Sequence, residues 1–200
     1  AIAGPRSRDL LQKLFPKLDV SNEGLPFMGY MEGELFGVNA KIFRISFSGE
    51  LAYEINVESN YGNFMWEKII ELGKDFNIQP YVTEALSTLR IEMGHVAGPE
   101  SDGRTIPYDN SLEGLVSKKK DFIGKRSLNR KAFTAENRQK IVGVVPVDKK
   151  TSIPEGSHLV RDAKAVLPNP KLGYISASCW SVEHDNPFSL AILKDGKNMI

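Results

Sequence analysis

The chain has 200 residues, 41% hydrophobic and 26% charged, with a formal net charge of +1. That length allows one large domain or one domain with part of another, and the even charge balance offers no basic face for nucleic acid. No apolar run reaches the ~20 residues that span a bilayer, so no membrane partner is expected.

A single cysteine, Cys179, excludes an internal disulfide and a Cys-rich zinc site. His95, His158 and His184 are far apart and form no HxxxH or HxH, so no metal is expected. The default compartment is a reducing cytoplasm. The start, "AIAGPRSRDLL", has neither an initiator methionine nor a signal-peptide core, and the end, "AILKDGKNMI", stops soon after a strand-like run. Both termini are expected to belong to something longer.

"GPRSRDLLQKLF" reads as a helix: Pro5 suits its first turn, Leu10, Leu11, Leu14 and Phe15 keep helical spacing, and Pro16 stops it. From Leu35 to Val57 the period becomes two. Phe43, Ile45 and Phe47 alternate with Arg44, Ser46 and Ser48, Gly49 marks a hairpin turn, and "LAYEINV" resumes the alternation. In that second strand Leu51, Tyr53, Ile55 and Val57 share one face, while Glu54 and Asn56 lie on the other.

Two helices are predicted next. "YGNFMWEKIIELGKDF" carries Met65, Ile69, Leu72 and Phe76 on one stripe; "TEALSTLRIEMG" starts at a Thr83 cap and ends at Gly94. The polar, Gly/Pro-punctuated "GPESDGRTIPYDN" is a loop, and "GKRSLNRKAF" a short helix. After about Asn137 come the short strands "KIVGVVPV", "SHLVRD", "KLGYISASCWSV" and "NPFSLAILK". The fold class is therefore α+β. A mixed α/β domain over residues 1–136 is followed by a small β-barrel-like domain over 137–200, incomplete in this chain.

Few segments carry chemistry on their own. "DFIGKRS" lacks the first glycine of a phosphate loop and has Arg126 where Ser or Thr should follow the lysine, so it reads as a loop entering a helix. Lys118–Lys120 reads as a solvated surface, with attraction of an anionic tail as the alternative. Cys179 sits in a strand beside Trp180, with no histidine spaced to activate it, and reads as inert; His95 caps a helix or lines a loop. Glu54 is either a solvated acid or, if buried, a carboxylate that must meet a donor. Arg90 is open to the same two readings, and residue chemistry alone leaves both undecided.

Motif order goes further. "AGPRSRDLL", "FRISFSGELAYEI", "TEALSTLRIEMG", "SDGRTIPYD" and "SKKKDFIGKRSL" resemble, in sequence order, the folate-dependent aminomethyltransferase (glycine cleavage T-protein) superfamily. Within it they are most similar to the branch formed by the C-terminal halves of heterotetrameric sarcosine oxidase alpha subunits. The resemblance covers most of residues 1–193, is most specific at "FSGELAYE" and "SKKKDFIGKRSL", and is weakest in the C-terminal strands.

The resemblance implies a folate-binding region. T-proteins carry a Tyr-Thr-Gly turn and then a glutamate that binds the pterin; here the turn is Phe47-Ser48-Gly49 and the glutamate is Glu54. A pterin presents an exocyclic amine beside a ring N–H, a donor pair that suits a carboxylate. Phe47 keeps the aromatic surface but lacks the tyrosine hydroxyl. Arg90 matches the arginine of the family's "LRLEAG" and would stand near the folate as a fixed donor; Tyr53 and the Asp102–Tyr108 turn are further lining candidates. The family's catalytic aspartate lies upstream of this chain, so no catalytic residue is expected in it.

The implied cofactors are tetrahydrofolate in this region, with FMN or FAD and NAD elsewhere in a parent complex. The implied partners are a flavin-bearing beta subunit and the other sarcosine oxidase subunits. The implied reaction is capture of the methylene unit of flavin-oxidised sarcosine, giving glycine and 5,10-methylenetetrahydrofolate. A free-standing glycine cleavage aminomethyltransferase and a non-catalytic folate-binding or assembly module are the alternatives.

Overall fold

Leucines spaced for one helical face produce the first helix, α1 (Ser7–Leu14), in which Leu10, Leu11 and Leu14 are buried. The computed structural model describes residues 1–199, and they divide into two compact units, Ala1–Leu86 and a second from Ser87 onward.

In the first unit, strands β1 (Ile2–Ala3), β2 (Tyr30–Leu35), β3 (Val38–Phe43) and β4 (Ala52–Asn56) form an antiparallel sheet in the order β1-β4-β3-β2. Alternation sends Val38, Ala40, Ile42 and Tyr53 into a core with α1 and with Met65 of α2 (Gly62–Gly73). Fully burying one such aliphatic side chain contributes about 1.5–3 kcal/mol. Gly33 lies on that inner face: a Cβ there would come 2.7 Å from Leu18 Cδ1 and 3.0 Å from Phe15 Cδ1, so only glycine lets Phe15 lie against the strand.

The pairing differs from the expected hairpin. β2 is an additional strand, joined to β3 by Phe36 (φ 51°) and Gly37 (φ 82°), the double positive-φ geometry of a tight two-residue turn. β3 ends at Phe43 instead of running to Phe47, and residues 44–51 form a loop. Arg44 stays bonded to the segment preceding β2. Its N–H donates to the Gly29 carbonyl (3.0 Å), its own carbonyl accepts from Met28 (3.0 Å), and its guanidinium reaches Asn22 Oδ1 (2.8 Å) and the Leu25 carbonyl (3.1 Å).

The division between the units falls within α3 (Thr83–Glu92). This helix ends as predicted at Gly94, φ 68°. The His95 N–H donates to the Arg90 carbonyl (2.8 Å) and the Gly94 N–H to that of Ile91 (2.9 Å), the paired bonds of a glycine-terminated helix. The "GKRSLNRKAF" helix is reduced to a single turn at Ser127–Asn129 and α4 (Lys131–Thr134), because Arg130 is extended at ψ 142°.

All four predicted C-terminal strands form: β5 (Gln139–Val144), β6 (His158–Val160), β7 (Lys171–Ser181) and β8 (Asn186–Lys194), antiparallel in the order β5-β8-β7-β6. Among the described residues this sheet is open, with β5 and β6 on opposite edges. The expected β-barrel is therefore corrected to a sheet: four strands are too few to curl round and pair their edges. Its core, Ala177, Leu190 and Ile192 with Ile141, is covered by Ile91 of α3.

Polar ties bind the preceding segment to the same sheet. Glu92 Oε1 accepts from Ser181 Oγ (2.7 Å) and the Val182 N–H (3.1 Å), and the Asp109 carbonyl accepts from the Ile141 N–H (2.7 Å). These ties explain why the second compact unit begins at Ser87. No helix among the described residues is long and apolar enough to cross a membrane.

Candidate functional site

The strand register assembles an outward surface on the first unit. Glu54 stands opposite Phe43, Phe43 opposite Tyr30, and Asn56 opposite Lys41. The Tyr30 and Phe43 rings are 5.0 Å apart between centroids, tilted by 40°. Tyr30 donates its hydroxyl to Glu32 Oε1, and that bond raises the phenol pKa. Glu54 is exposed and makes no side-chain hydrogen bond or ion pair among the described residues. The result is an available carboxylate beside an aromatic pair. A cleft of about 670 Å³ adjoins this face, lined by Glu32, Asn39, Lys41, Asn56, Glu58 and Tyr61; Asn56, not Glu54, is β4's outward contact with it.

The other predicted residues are placed differently. Phe47 lies in the 44–51 loop and is 41% exposed. Tyr53 points into the helical core from the opposite side of β4, fully buried, with its hydroxyl lacking a hydrogen-bond partner among the described residues. The strand pleat thus takes it off the Glu54 surface.

Arg90 belongs to the second unit and is buried. Its Nη1 donates to Glu100 Oε2 (3.0 Å) and to the His95 carbonyl (3.3 Å), while Glu100 Oε2 also accepts from the Ala97 N–H (2.9 Å). This pair locks the turn after α3. In the Asp102–Tyr108 turn, Asp102 pairs with Arg104.

Sequence reading missed three contributors: Glu100, Asp109 and the Tyr30–Phe43 pair. The Phe36-Gly37 turn was the available signal for the last, since it sets β2 beside β3. Cys179 has its thiol pushed up to about 11, by burial first and by Glu92 second, which keeps it protonated and unreactive.

The GCVT N-terminal domain model matches residues 1–120, and the chain belongs to that family. It is homologous to sarcosine oxidase alpha subunits. It is 43% identical over 204 residues to sarcosine oxidase subunit alpha of Corynebacterium sp. (strain P-1), matching 100% of this chain and 21% of that protein. Against subunit alpha of Rhizobium meliloti (strain 1021) the identity is 44% over 202 residues, with 99% and 20% covered. The aminomethyltransferase of Thermoanaerobacter sp. (strain X514) is 30% identical over 196 residues, covering 96% of this chain and 50% of that protein. The chain thus spans about a fifth of the sarcosine oxidase alpha subunits and half of that aminomethyltransferase.

In structure it resembles the glycine cleavage system aminomethyltransferase T from Bartonella henselae, with a TM-score of 0.74 at 21% identity over 96% of this chain and 50% of that one. This likeness concerns the fold.

Proposed function

We propose that this chain is the folate-binding region of a sarcosine oxidase alpha-type subunit. In such an enzyme it holds tetrahydrofolate so that the methylene unit of oxidised sarcosine is captured, yielding glycine and 5,10-methylenetetrahydrofolate. The observation that carries the reading is the match of residues 1–120 to the GCVT N-terminal domain together with 43–44% identity to sarcosine oxidase alpha subunits. Glu54, exposed on a strand next to Phe43, is the contact that the resemblance assigns to the pterin. A pterin head fits that chemistry, with its amine and ring N–H meeting the carboxylate and its flat ring meeting an aromatic neighbour. When bound, tetrahydrofolate supplies the nucleophilic nitrogen.

Glu54 orients the pterin head, and Phe47 walls the site from the loop. Arg90 acts by fixing the 95–100 turn through Glu100, and Tyr53 supports β4 from beneath. Holding the acceptor beside the carbon to be captured is worth about 7–11 kcal/mol of barrier when alignment is good.

The FMN or FAD, the NAD, the beta subunit and the remaining subunits belong to the rest of the complex, and the compartment is the cytoplasm. Within this region the family resemblance sets the folate-binding domain at residues 1–136 and a C-terminal domain at 137–200, a sequence division distinct from the two compact units, which divide between Leu86 and Ser87. Higher identity to the oxidase subunits than to the aminomethyltransferase, 43–44% against 30%, favours this reading over glycine cleavage.

The test is calorimetric titration of the full-length subunit, in its complex, with reduced folate. Glu54→Gln should weaken binding by about 1.5–3 kcal/mol, the value of a charge-assisted hydrogen bond. Unchanged affinity removes Glu54 from the site, and absence of any folate binding by the parent protein removes the function. Co-purification with a lipoyl carrier instead of a flavoprotein would favour glycine cleavage.

A further inference from the structure

Three strand ends of the second unit bring cations to one end of its sheet. Arg138 immediately precedes β5, Lys194 closes β8 and Lys171 opens β7. The pairings Gln139↔Lys194 and Gly173↔Leu193 set these ends side by side. Together with Arg104, Gln139 and Tyr174 they line a cleft of about 460 Å³, and no carboxylate is among its lining residues. That volume lies within the range of about 300–1,000 Å³ typical of small-molecule sites.

The arginines are held from behind. Arg138 donates Nε to Asp109 Oδ1 (2.7 Å) and Nη2 to Oδ2 of the same buried carboxylate. Arg104 donates Nε to Asp102 Oδ2 (2.7 Å), and its guanidinium carbon stands 5.6 Å from the Tyr174 ring centre. The lysines have no such counter-charge: among the described residues neither Lys171 nor Lys194 makes a side-chain hydrogen bond or ion pair. Ammonium and guanidinium groups around one concavity are the donors that carboxylates and phosphates accept from.

We propose that this cleft binds a small molecule carrying two or more carboxylate or phosphate groups, with Lys171 and Lys194 as the charged contacts and Arg138 and Tyr174 as the fixed wall. The inference does not rest on the folate reading, because the residues involved are distinct from Glu54 and its face.

The experiment is calorimetric titration of the full-length protein with citrate and, separately, with pyrophosphate, at about 0.15 M salt, where long-range attraction between exposed charges is largely screened. Saturable binding of at least one probe is expected, at least about tenfold weaker in the Lys171→Gln/Lys194→Gln double variant, since each lost charge-assisted contact is worth that much. Both lysines are exposed, and an unchanged melting curve will show that the variant folds. Lys118→Gln/Lys119→Gln, elsewhere on the surface, should bind as the parent does. Citrate alone binding assigns a carboxylate ligand, and pyrophosphate alone a phosphate. Failure of both probes to saturate overturns the proposal, as does equal binding by the double variant or equal weakening by the control.

Discussion

Arg90 and Glu100 form an ion pair at 3.0 Å in which the side chains are only 6% and 0% exposed. The helix end makes this possible: Gly94 turns the chain back, and Glu100 returns beneath Arg90 while also accepting the Ala97 N–H. Losing one partner strands the other charge away from water. Arg90→Met or Glu100→Leu should each destabilise the protein by about 3–5 kcal/mol, whereas the double substitution should recover most of that loss. Urea denaturation of the three variants checks it, and additive losses would show that the two side chains do not act as a pair.

Tyr53 presents the opposite situation, a buried hydroxyl with no partner among the described residues. An unsatisfied buried polar group is a cost, so Tyr53→Phe should leave stability unchanged or raise it by up to about 1–2 kcal/mol. The readout is the denaturation midpoint. A clear loss would mean that the hydroxyl is bonded.

Several carboxylates have pKa values lowered by folding. Asp148 is brought down to about 2, first by the Thr151 hydroxyl and then by the Thr151 and Lys150 N–H groups. Glu113 is lowered chiefly by Lys140, Asp75 by Lys13 and Glu71 by Lys68. A lowered folded-state value means that the unfolded chain takes up protons first as pH falls. The stability these groups contribute is complete above the ordinary carboxylate range of about 4 and is lost as pH drops toward about 2. Urea midpoints should be flat from neutrality down to about pH 5 and then fall steadily.

The Cys179 thiol, pushed up to about 11, should react slowly with iodoacetamide at neutral pH. A thiol that holds its proton so tightly offers roughly a hundredfold less thiolate than an unperturbed cysteine does. Mass spectrometry of timed samples should show modification accelerating to the free-thiol rate only in denaturant.

Local rules made much of this architecture readable. Leucine spacing and Pro16 delimit α1, Gly94 ends α3, and alternation reveals β5 to β8, because each of these signals lies within a few residues and reflects backbone sterics or one-sided burial. The placement of Glu54 and Tyr53 on opposite faces of β4 follows from the same period of two. Motif order then carried the family.

Pairings between distant residues were not readable in this way. Arg44 bonds through its backbone to Met28 and Gly29 and through its guanidinium to the Leu25 carbonyl, while residues 44–51 form a loop. Arg90 is committed to Glu100, and Arg138 to Asp109 across 29 positions of chain. Hydrophobic periodicity says which side of an element is buried, but not which polar group meets which. That choice depends on loop paths and on the cost of leaving a buried charge unmatched, and both exist only once the chain has folded.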